Sequence, residues 1–250
     1  MNTTKAYAQG TPRTTAAVVG VLFILGTVPA LLSLPLALNT VNAPNHLIAI
    51  STNEVQMIIF TAVKFIMGMA CAGIGLSLYP ILKKYNEGLA FGAAGFRVIE
   101  GVVDVVGALL YVVLLALSQE FVKAGAPAAS YFQTADVLIN AGIGWFRDAG
   151  MLLPFGIGAL MYYIVFYQHR LVPRWLSVWG LVGITLTIIS AMLVMFHLIP
   201  SAGTIDIALN MPILPQELVL AVWLIAKGFN PSTVASMAAN TSMNELLSAA

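Results

Sequence analysis

Long apolar runs alternate with short polar segments along the chain, and this pattern predicts a bundle of membrane-spanning helices. A helix needs about 20 mostly apolar residues to cross a bilayer, and six runs reach or approach that length. The predicted spans cover residues 15–38, 55–79, 89–118, 150–167, 176–198 and 207–227. The predicted fold class is therefore all-α, a polytopic membrane helical bundle with six transmembrane helices.

Three segments at or beyond the ends of these spans complete the predicted organisation. Residues at about 134–147 have helical apolar spacing but are few, so they form either an extra interfacial helix or an outward extension of the fourth span. The first apolar run exceeds the roughly 7–15 residues of a signal-peptide core, which favours an uncleaved span. We expect a single transmembrane domain over residues 1–230 and a weakly ordered cytoplasmic tail over 231–250, which is rich in Ser, Ala, Met and Asn.

The composition is that of a membrane protein with little soluble mass. Hydrophobic residues make up 60% of the 250 residues, charged residues make up 8%, and the mean hydropathy is +0.92. A soluble domain has about 25% charged residues. The net charge of +1 provides no basic surface for nucleic acid, so the expected partner is the lipid bilayer.

Lysines and arginines outside the apolar runs indicate the orientation of the chain. If six spans alternate, seven of these cations fall on the side of both termini, and only Lys123 clearly falls on the other side. The seven are Lys5, Arg13, Lys83, Lys84, Arg170, Arg174 and Lys227. By the positive-inside rule, we expect both termini in the cytoplasm.

The third span carries Arg97, Glu100 and Asp104 in its interior. These residues stand at i, i+3 and i+7 and therefore share one helix face. An isolated charge at the centre of a bilayer costs at least about 2.5–3.5 kcal/mol, so this face must meet other charges or water rather than lipid. The pattern predicts a polar site inside the bundle.

Depths counted at about 1.5 Å per residue from the helix ends sort the charges into two layers. Arg97, Glu100 and Glu217 lie at depths of about 12–16 Å, near the midplane. Lys64 and Asp104 lie at about 22 Å, nearer the opposite side. We predict that Glu100 and Glu217 hold Arg97 and that these three residues bind a ligand. Lys64 and Asp104 are predicted to form a structural ion pair.

The fourth and sixth spans add further candidate residues. Arg147 and Asp148, at the start of the fourth span, are candidate ligand-binding residues, although solvation at the interface would also explain them. Pro212 and Pro215 precede Glu217, and each removes a backbone donor and disturbs the turn before it. Broken backbone at membrane depth is tolerated where it is packed in protein or lines a cavity. We expect a non-ideal sixth helix, with Glu217 facing a cavity or packed beside a kink.

The sequence contains no pattern that predicts a metal site or a cofactor site. His46, His169 and His197 lie at loop or helix ends and share no helix face, which argues against an intramembrane haem or zinc site. Motifs typical of phosphate loops, dinucleotide sites, serine hydrolases and zinc proteases are absent from the sequence. We expect no metal and no cofactor, and Cys71 is expected to be a buried, inert thiol.

Four stretches of the chain also carry a resemblance to a known family. They are LYPILKKYNEGLAFGAAGFRVIE (78–100), SQEFVKAGAP (118–127), YQHRLVPRWLSVWGLVG (167–183) and QELVLAVWLIAKGFN (216–230). In this order they resemble a bacterial membrane-protein family known as domain of unknown function 4386. The resemblance implies a six-helix, multi-pass protein of the bacterial inner (plasma) membrane and implies no activity. The charged positions that match the family pattern are Arg97, Glu100, Arg147, Asp148, Arg174 and Glu217, whereas Lys64 and Asp104 are not tied to it.

Three classes of function follow from these patterns. The first is binding or transport of a small or amphiphilic ligand, a lipid included, through the buried charged cluster. The second is a membrane-embedded enzyme that uses Glu100 or Glu217 as an acid or base in a desolvated pocket. The third is a structural or accessory membrane protein in which every charge is paired. A cavity that touches Arg97, Glu100 and Glu217 together would favour the first class. The sequence leaves the oligomeric state open.

Overall fold

The computed structural model describes residues 12–36, 43, 45–127 and 131–233, and the backbone in these ranges is helical apart from short turns. The helices are α1 (Pro12–Leu36), α2 (His46–Thr52), α3 (Glu54–Leu82), α4 (Glu87–Lys123), α5 (Tyr131–Trp145), α6 (Leu152–His169), α7 (Arg174–Met195), α8 (Thr204–Asn210) and α9 (Ile213–Ala226). The last residues of the predicted first span, 37–38, and most of the predicted tail, 234–250, lie outside the described residues.

Six helical stretches are long and apolar enough to cross a membrane, which confirms the predicted all-α, six-span architecture. They are Pro12–Pro29, Glu54–Leu82, Glu87–Lys123, Tyr131–His169, Arg174–Met195 and Thr204–Ala226. The chain is therefore a multi-pass membrane protein. Its exposed large apolar side chains, among them Leu32, Val55, Phe91 and Val137, would be unfavourable in water and suit a lipid environment.

The fourth stretch is longer than its predicted span because α5 continues into α6. A π-helical turn, Phe146–Met151, joins the two helices without a loop. Of the two alternatives for the segment at about 134–147, extension of the fourth span is the one observed. A π turn accommodates an extra residue within a helix and often marks a functional site.

Contacts between helix ends identify one end of the bundle. Arg13 donates a hydrogen bond to the Ala226 carbonyl (3.0 Å), and the rings of Tyr85 and His169 lie 4.8 Å apart. We call the end that holds these contacts the terminal end, since the first span begins there and the last one finishes there. The opposite end, which holds the turn at 196–203, is called the distal end.

Glycines bring α3 and α4 into close contact. A Cβ atom added at Gly68 would lie 2.7 Å from the carbonyl oxygen of Gly101, and a Cβ at Gly101 would clash with the carbonyl oxygen of Gly68. Small residues let membrane helices approach closely, so that van der Waals contact replaces a hydrophobic driving force. The contact is a small-residue helix interface, and it holds the charged face of α4 against α3.

The sixth span is two helices rather than one. Helix α8 ends at Asn210, and α9 begins at Ile213 after a two-residue turn. Pro212 and Pro215 have no N–H group and cannot complete the helical hydrogen bonds across this junction. The predicted non-ideal sixth helix is confirmed, and Glu217 lies in the second turn of α9.

Candidate functional site

Arg97 and Glu100 form a buried ion pair on one face of α4. Nη1 of Arg97 lies 2.9 Å from Oε2 of Glu100, and the two residues are only 1% and 3% exposed. Their spacing of three residues places both side chains on the same side of the helix. Each charge is therefore compensated within the helix that carries it.

Close packing encloses the guanidinium of Arg97. A Cβ at Gly75 would lie 2.6 Å from Cβ of Arg97, and one at Gly158 would lie 3.3 Å from its Cγ. The guanidinium carbon lies 5.2 Å from the centre of the Phe155 ring, a cation–π contact. Within the described residues, Nε and Nη1 of Arg97 and Oε2 of Glu100 have no hydrogen bond of good geometry. The Arg97–Glu100 pair therefore neutralises both charges but leaves several of their hydrogen-bonding atoms without a partner.

Glu217 is buried in the same region but has a different partner. The hydroxyl of Thr27 on α1 donates a hydrogen bond of 2.9 Å to Oε2 of Glu217. Glu217 acts on Arg97 only electrostatically, because no ion pair joins them among the described residues. The structure thus brings Arg97 and Glu100 together as predicted and does not place Glu217 in their ion pair. Thr27 could not be predicted as a partner of Glu217, since a threonine in an apolar span carries no signal of its own.

Lys64 and Asp104 do not form the expected direct ion pair in the described part of the chain. Both residues line a small cavity of about 40 Å³ that they share with Tyr111 and Arg147. The lysine still acts on the carboxylate electrostatically, through this gap. A spacing argument along two helices places the two residues at a similar depth, but it cannot fix the distance between their side chains.

The distal end holds a hydrogen-bond network centred on Asp206, which is 1% exposed. Its carboxylate accepts hydrogen bonds from Ser190 Oγ (2.7 Å), the Ala202 N–H (2.8 Å), Asn210 Nδ2 (2.8 Å) and Arg147 Nη2 (3.1 Å). The network joins α7, α8 and the π turn. Asp206 is not among the predicted site residues, because the predicted sixth span begins one residue later and leaves this carboxylate outside the membrane.

Asp148 lies beside this network and lines a cavity of about 430 Å³ at the distal end. Its side chain is 9% exposed, and Oδ1 lies 3.4 Å from Nε of Arg147. No described residue donates a hydrogen bond to that oxygen. The carboxylate is thus buried at the edge of an open cavity and is only partly compensated.

Aromatic and apolar side chains form the rest of the distal cavity. Trp145, at the end of α5, and His197 lie edge to face with their ring centres 6.0 Å apart. Met195, Leu198 and residues 199–201 continue the lining along the turn after α7. An apolar cavity with a few polar groups is the usual form of a small-molecule site.

Two other polar contacts of the described chain, one partly buried and one buried, hold helices together. His46 on α2 lies 2.8 Å from the carboxylate of Asp136 on α5, and Tyr163 donates a hydrogen bond of 2.5 Å to Gln216 on α9. Over the described ranges, no group of three or more His, Cys, Asp or Glu residues could hold a metal ion. Arg97, Glu100 and Glu217 do not line the distal cavity, the small cavity at Asp104 or the terminal cavity considered below.

Comparison with protein families finds a match over most of the chain. The model of a family described as a domain of unknown function (DUF4386) matches residues 18–228. Comparisons with curated proteins and with solved structures find no significant match.

Proposed function

The chain belongs to this family of unknown function, and we propose that it is a membrane protein that binds a small amphiphilic cation in the distal cavity. The observation that carries the proposal is the placement of Asp148, a buried and partly compensated carboxylate, in the wall of a cavity of about 430 Å³. Ionisable groups at membrane depth are costly, and such a group beside a cavity is by default a candidate for ligand contact.

The charge balance at this site favours a cation over an anion. Asp148 and Asp206 contribute two carboxylates, and Arg147 contributes one guanidinium that contacts both of them. These three side chains carry a net charge of −1 in total. A bound ammonium group would complete the balance and would form a charge-assisted hydrogen bond with Asp148.

The lining favours a ligand that also has an apolar body. Trp145 supplies the aromatic side chain that best attracts a cation to its face, and Met195 and Leu198 supply apolar contact. Small-molecule cavities usually have volumes of about 300–1,000 Å³, and the distal cavity falls in this range. A primary amine on a short aryl-alkyl chain has the matching chemistry.

Backbone conformation around the cavity supports the same assignment. His197 and Ala202, in the turn at 196–203, have positive φ angles of 56° and 54°. Non-glycine residues in this region of conformational space are uncommon and cluster at ligand sites and turns. Asp148 of the π turn also lines the cavity, so two segments with irregular backbone geometry contribute to its lining.

Equilibrium dialysis with 4-phenylbutylamine tests the proposal in a non-ionic detergent. We expect saturable binding to the wild-type chain, a loss of affinity of about tenfold or more in Asp148→Asn, and no change in Glu120→Gln. Glu120 is the matched control, because it is an exposed carboxylate near the same end that pairs with Lys123.

A second variant separates loss of the site from loss of the fold. Gly144 lines the cavity, and a Cβ atom there would meet nothing within 4 Å. Gly144→Leu should therefore fold normally, occupy part of the cavity and weaken amine binding with Asp148 intact. Equal binding by Asp148→Asn and wild type, or no saturable binding at all, would overturn the proposal.

The midplane residues have weaker support as a ligand site. A ligand-binding role for Arg97, Glu100 and Glu217 stays a prediction, and their close packing favours the structural alternative. The inner membrane and cytoplasmic termini are likewise proposals, supported by the resemblance and by the cations at the terminal end.

A further inference from the structure

A second cavity, of about 460 Å³, opens at the terminal end between the turn after α6 and the end of α9. Three cations, Arg170, Arg174 and Lys227, are among the residues that line it. All three are exposed, and none belongs to a salt bridge in the described parts of the chain. The cavity thus concentrates positive charge that no described carboxylate neutralises directly.

A fourth cation, Arg13, lies next to a residue that lines this cavity. Arg13 donates hydrogen bonds to the carbonyls of Ile225 and Ala226, at 2.9 and 3.0 Å, and so caps the end of α9. A Cβ atom at Gly228, which lines the cavity, would lie 2.9 Å from Nη1 of Arg13. The negative end of the α9 dipole is therefore covered, and it does not offset the cations of the cavity.

The start of α7 adds a second attraction for anions. The first hydrogen bonds of this helix run from Leu176 and Ser177 to the carbonyl of Pro173, which lines the cavity. The amides of Arg174 and Trp175 come before them, and helix N-terminal amides favour negative charge. The helix has 22 residues, so its dipole is fully developed.

Apolar residues form the floor of the cavity. Leu171, Val172 and Phe229 are buried and line it, and the partly exposed Trp223 lies at its rim. Tryptophan is enriched at the level of lipid headgroups, where one side of the ring is apolar and the other is wet. A ligand with an anionic head and an apolar continuation matches both parts.

Arg170 occupies a conformation that favours another residue. It ends α6 with φ 54° and ψ 37°, the left-handed region in which glycine is the usual choice. An arginine here is less favourable for the backbone than glycine would be. An arginine at this position is explained if its guanidinium contributes positive charge to the cavity, because it brings no advantage to the helix cap.

From these observations we propose that the terminal cavity binds the phosphate ester headgroup of an anionic phospholipid. Basic pockets between membrane helices are a recognised form of lipid headgroup site. A soluble phosphate ester has the same headgroup chemistry. The position of the cavity in the bundle favours the lipid. The cavity lies where the helices leave the predicted membrane spans, and Trp223 lies at its rim.

Thermal shift of the full chain in a non-ionic detergent tests this assignment. The added compounds are phosphatidylglycerol, phosphatidylcholine and soluble glycerol 3-phosphate, each at the same molar ratio to protein. We expect a rise in Tm with phosphatidylglycerol that clearly exceeds the rise with the other two. An equal rise with both lipids, or an equal rise with glycerol 3-phosphate, would overturn the assignment to an anionic lipid.

Paired charge variants separate a built site from general surface attraction. Arg174→Gln/Lys227→Gln removes two cations that line the cavity, and Lys83→Gln/Lys84→Gln removes two from the same end outside it. The first pair should abolish the preference for phosphatidylglycerol, and the second should keep it. Equal effects of the two pairs would show that general surface charge explains the preference and would overturn the proposal.

Arg170→Gly keeps the test independent of folding. Glycine suits the left-handed cap, so this variant should be at least as stable as wild type without lipid. It should nevertheless show a smaller Tm rise with phosphatidylglycerol. A Tm rise in Arg170→Gly as large as in the wild type would overturn the proposal that the arginines of this cavity bind the headgroup.

Discussion

Arg97 shows how a single charge is accommodated inside an apolar bundle. Its stem lies against Gly75 and Gly158, its guanidinium lies over Phe155, and its charge is matched by Glu100 on the same helix. A buried pair of this kind need not be more stable than two apolar residues of similar size. Removing one partner, however, leaves an uncompensated buried charge that costs about 3–5 kcal/mol.

Replacing Arg97 with methionine tests whether this charge pair is coupled. Arg97→Met should lower the free energy of unfolding in detergent by about 3–5 kcal/mol, because Glu100 is then left alone. Arg97→Met/Glu100→Gln should recover a large part of that loss, because it removes both charges. If both variants lose the same stability, the two side chains are not coupled and the structural reading of the pair fails.

At the residue scale, contacts between side chains close together in the sequence could be predicted. The pairing of Arg97 with Glu100 follows from their spacing on one helix, so it could be predicted. The hydrogen bond from Thr27 to Glu217 joins residues 190 positions apart, and only the fold brings them together. A neutral hydroxyl in an apolar run does not indicate by itself that it will form a hydrogen bond with a carboxylate.

At the scale of elements, the hydrogen bonds of Asp206 explain how the short helix α8 is stabilised at the distal end. Helix α8 has seven residues, too few to be stable alone. The carboxylate of Asp206 ties it to Ser190 on α7 and to Arg147 on the π turn. Side-chain hydrogen bonds thus hold α8 in place beside the junction where Pro212 interrupts the helical hydrogen bonds of the sixth span.

Substitution of Asp206 tests this anchoring role. Asp206→Asn replaces a charged acceptor in a network of four donors, and hydrogen bonds to charged groups contribute about 1.5–3 kcal/mol. We expect a loss of stability in that range, measured by unfolding in detergent. Glu120→Gln, which breaks an exposed pair with Lys123, should cost at most about 1 kcal/mol. Equal losses in the two variants would show that the network does not anchor α8.

The spans themselves could be predicted from hydropathy, because length and apolar content decide whether a helix can cross a bilayer. The junction of α5 and α6 could not be decided, because both an interfacial helix and an extension satisfy the same apolar spacing. The π turn at Phe146–Met151 has no sequence signature of its own. The backbone geometry of this turn, which only the structure provides, shows that α5 extends the fourth span.

For the whole molecule, the two ends differ in charge. The terminal cavity is lined by Arg170, Arg174 and Lys227, whereas the distal cavity is lined by Asp148. Positive charge at membrane-helix ends favours the cytoplasmic side. We therefore propose that the lipid site lies in the cytoplasmic leaflet and the cation site lies at the outer face.

Cysteine labelling tests this orientation. Cys71 is buried and would first be replaced by alanine. Gly88→Cys at the terminal end and Ala124→Cys at the distal end then introduce single thiols at exposed positions without changing charge. A membrane-impermeant maleimide on intact cells should label the thiol at position 124 and label position 88 only after permeabilisation. The reverse pattern would overturn the orientation and exchange the two faces.

The central claim is that Asp148 recognises the positive charge of a ligand in the distal cavity. A thermodynamic cycle isolates that interaction: 4-phenylbutylamine and its neutral counterpart 4-phenylbutanol are each titrated into the wild-type chain and Asp148→Asn. The account predicts that the substitution weakens the amine and leaves the alcohol nearly unchanged, with a coupling free energy of about 1.5–3 kcal/mol. A coupling close to zero, with both ligands affected alike, would contradict it.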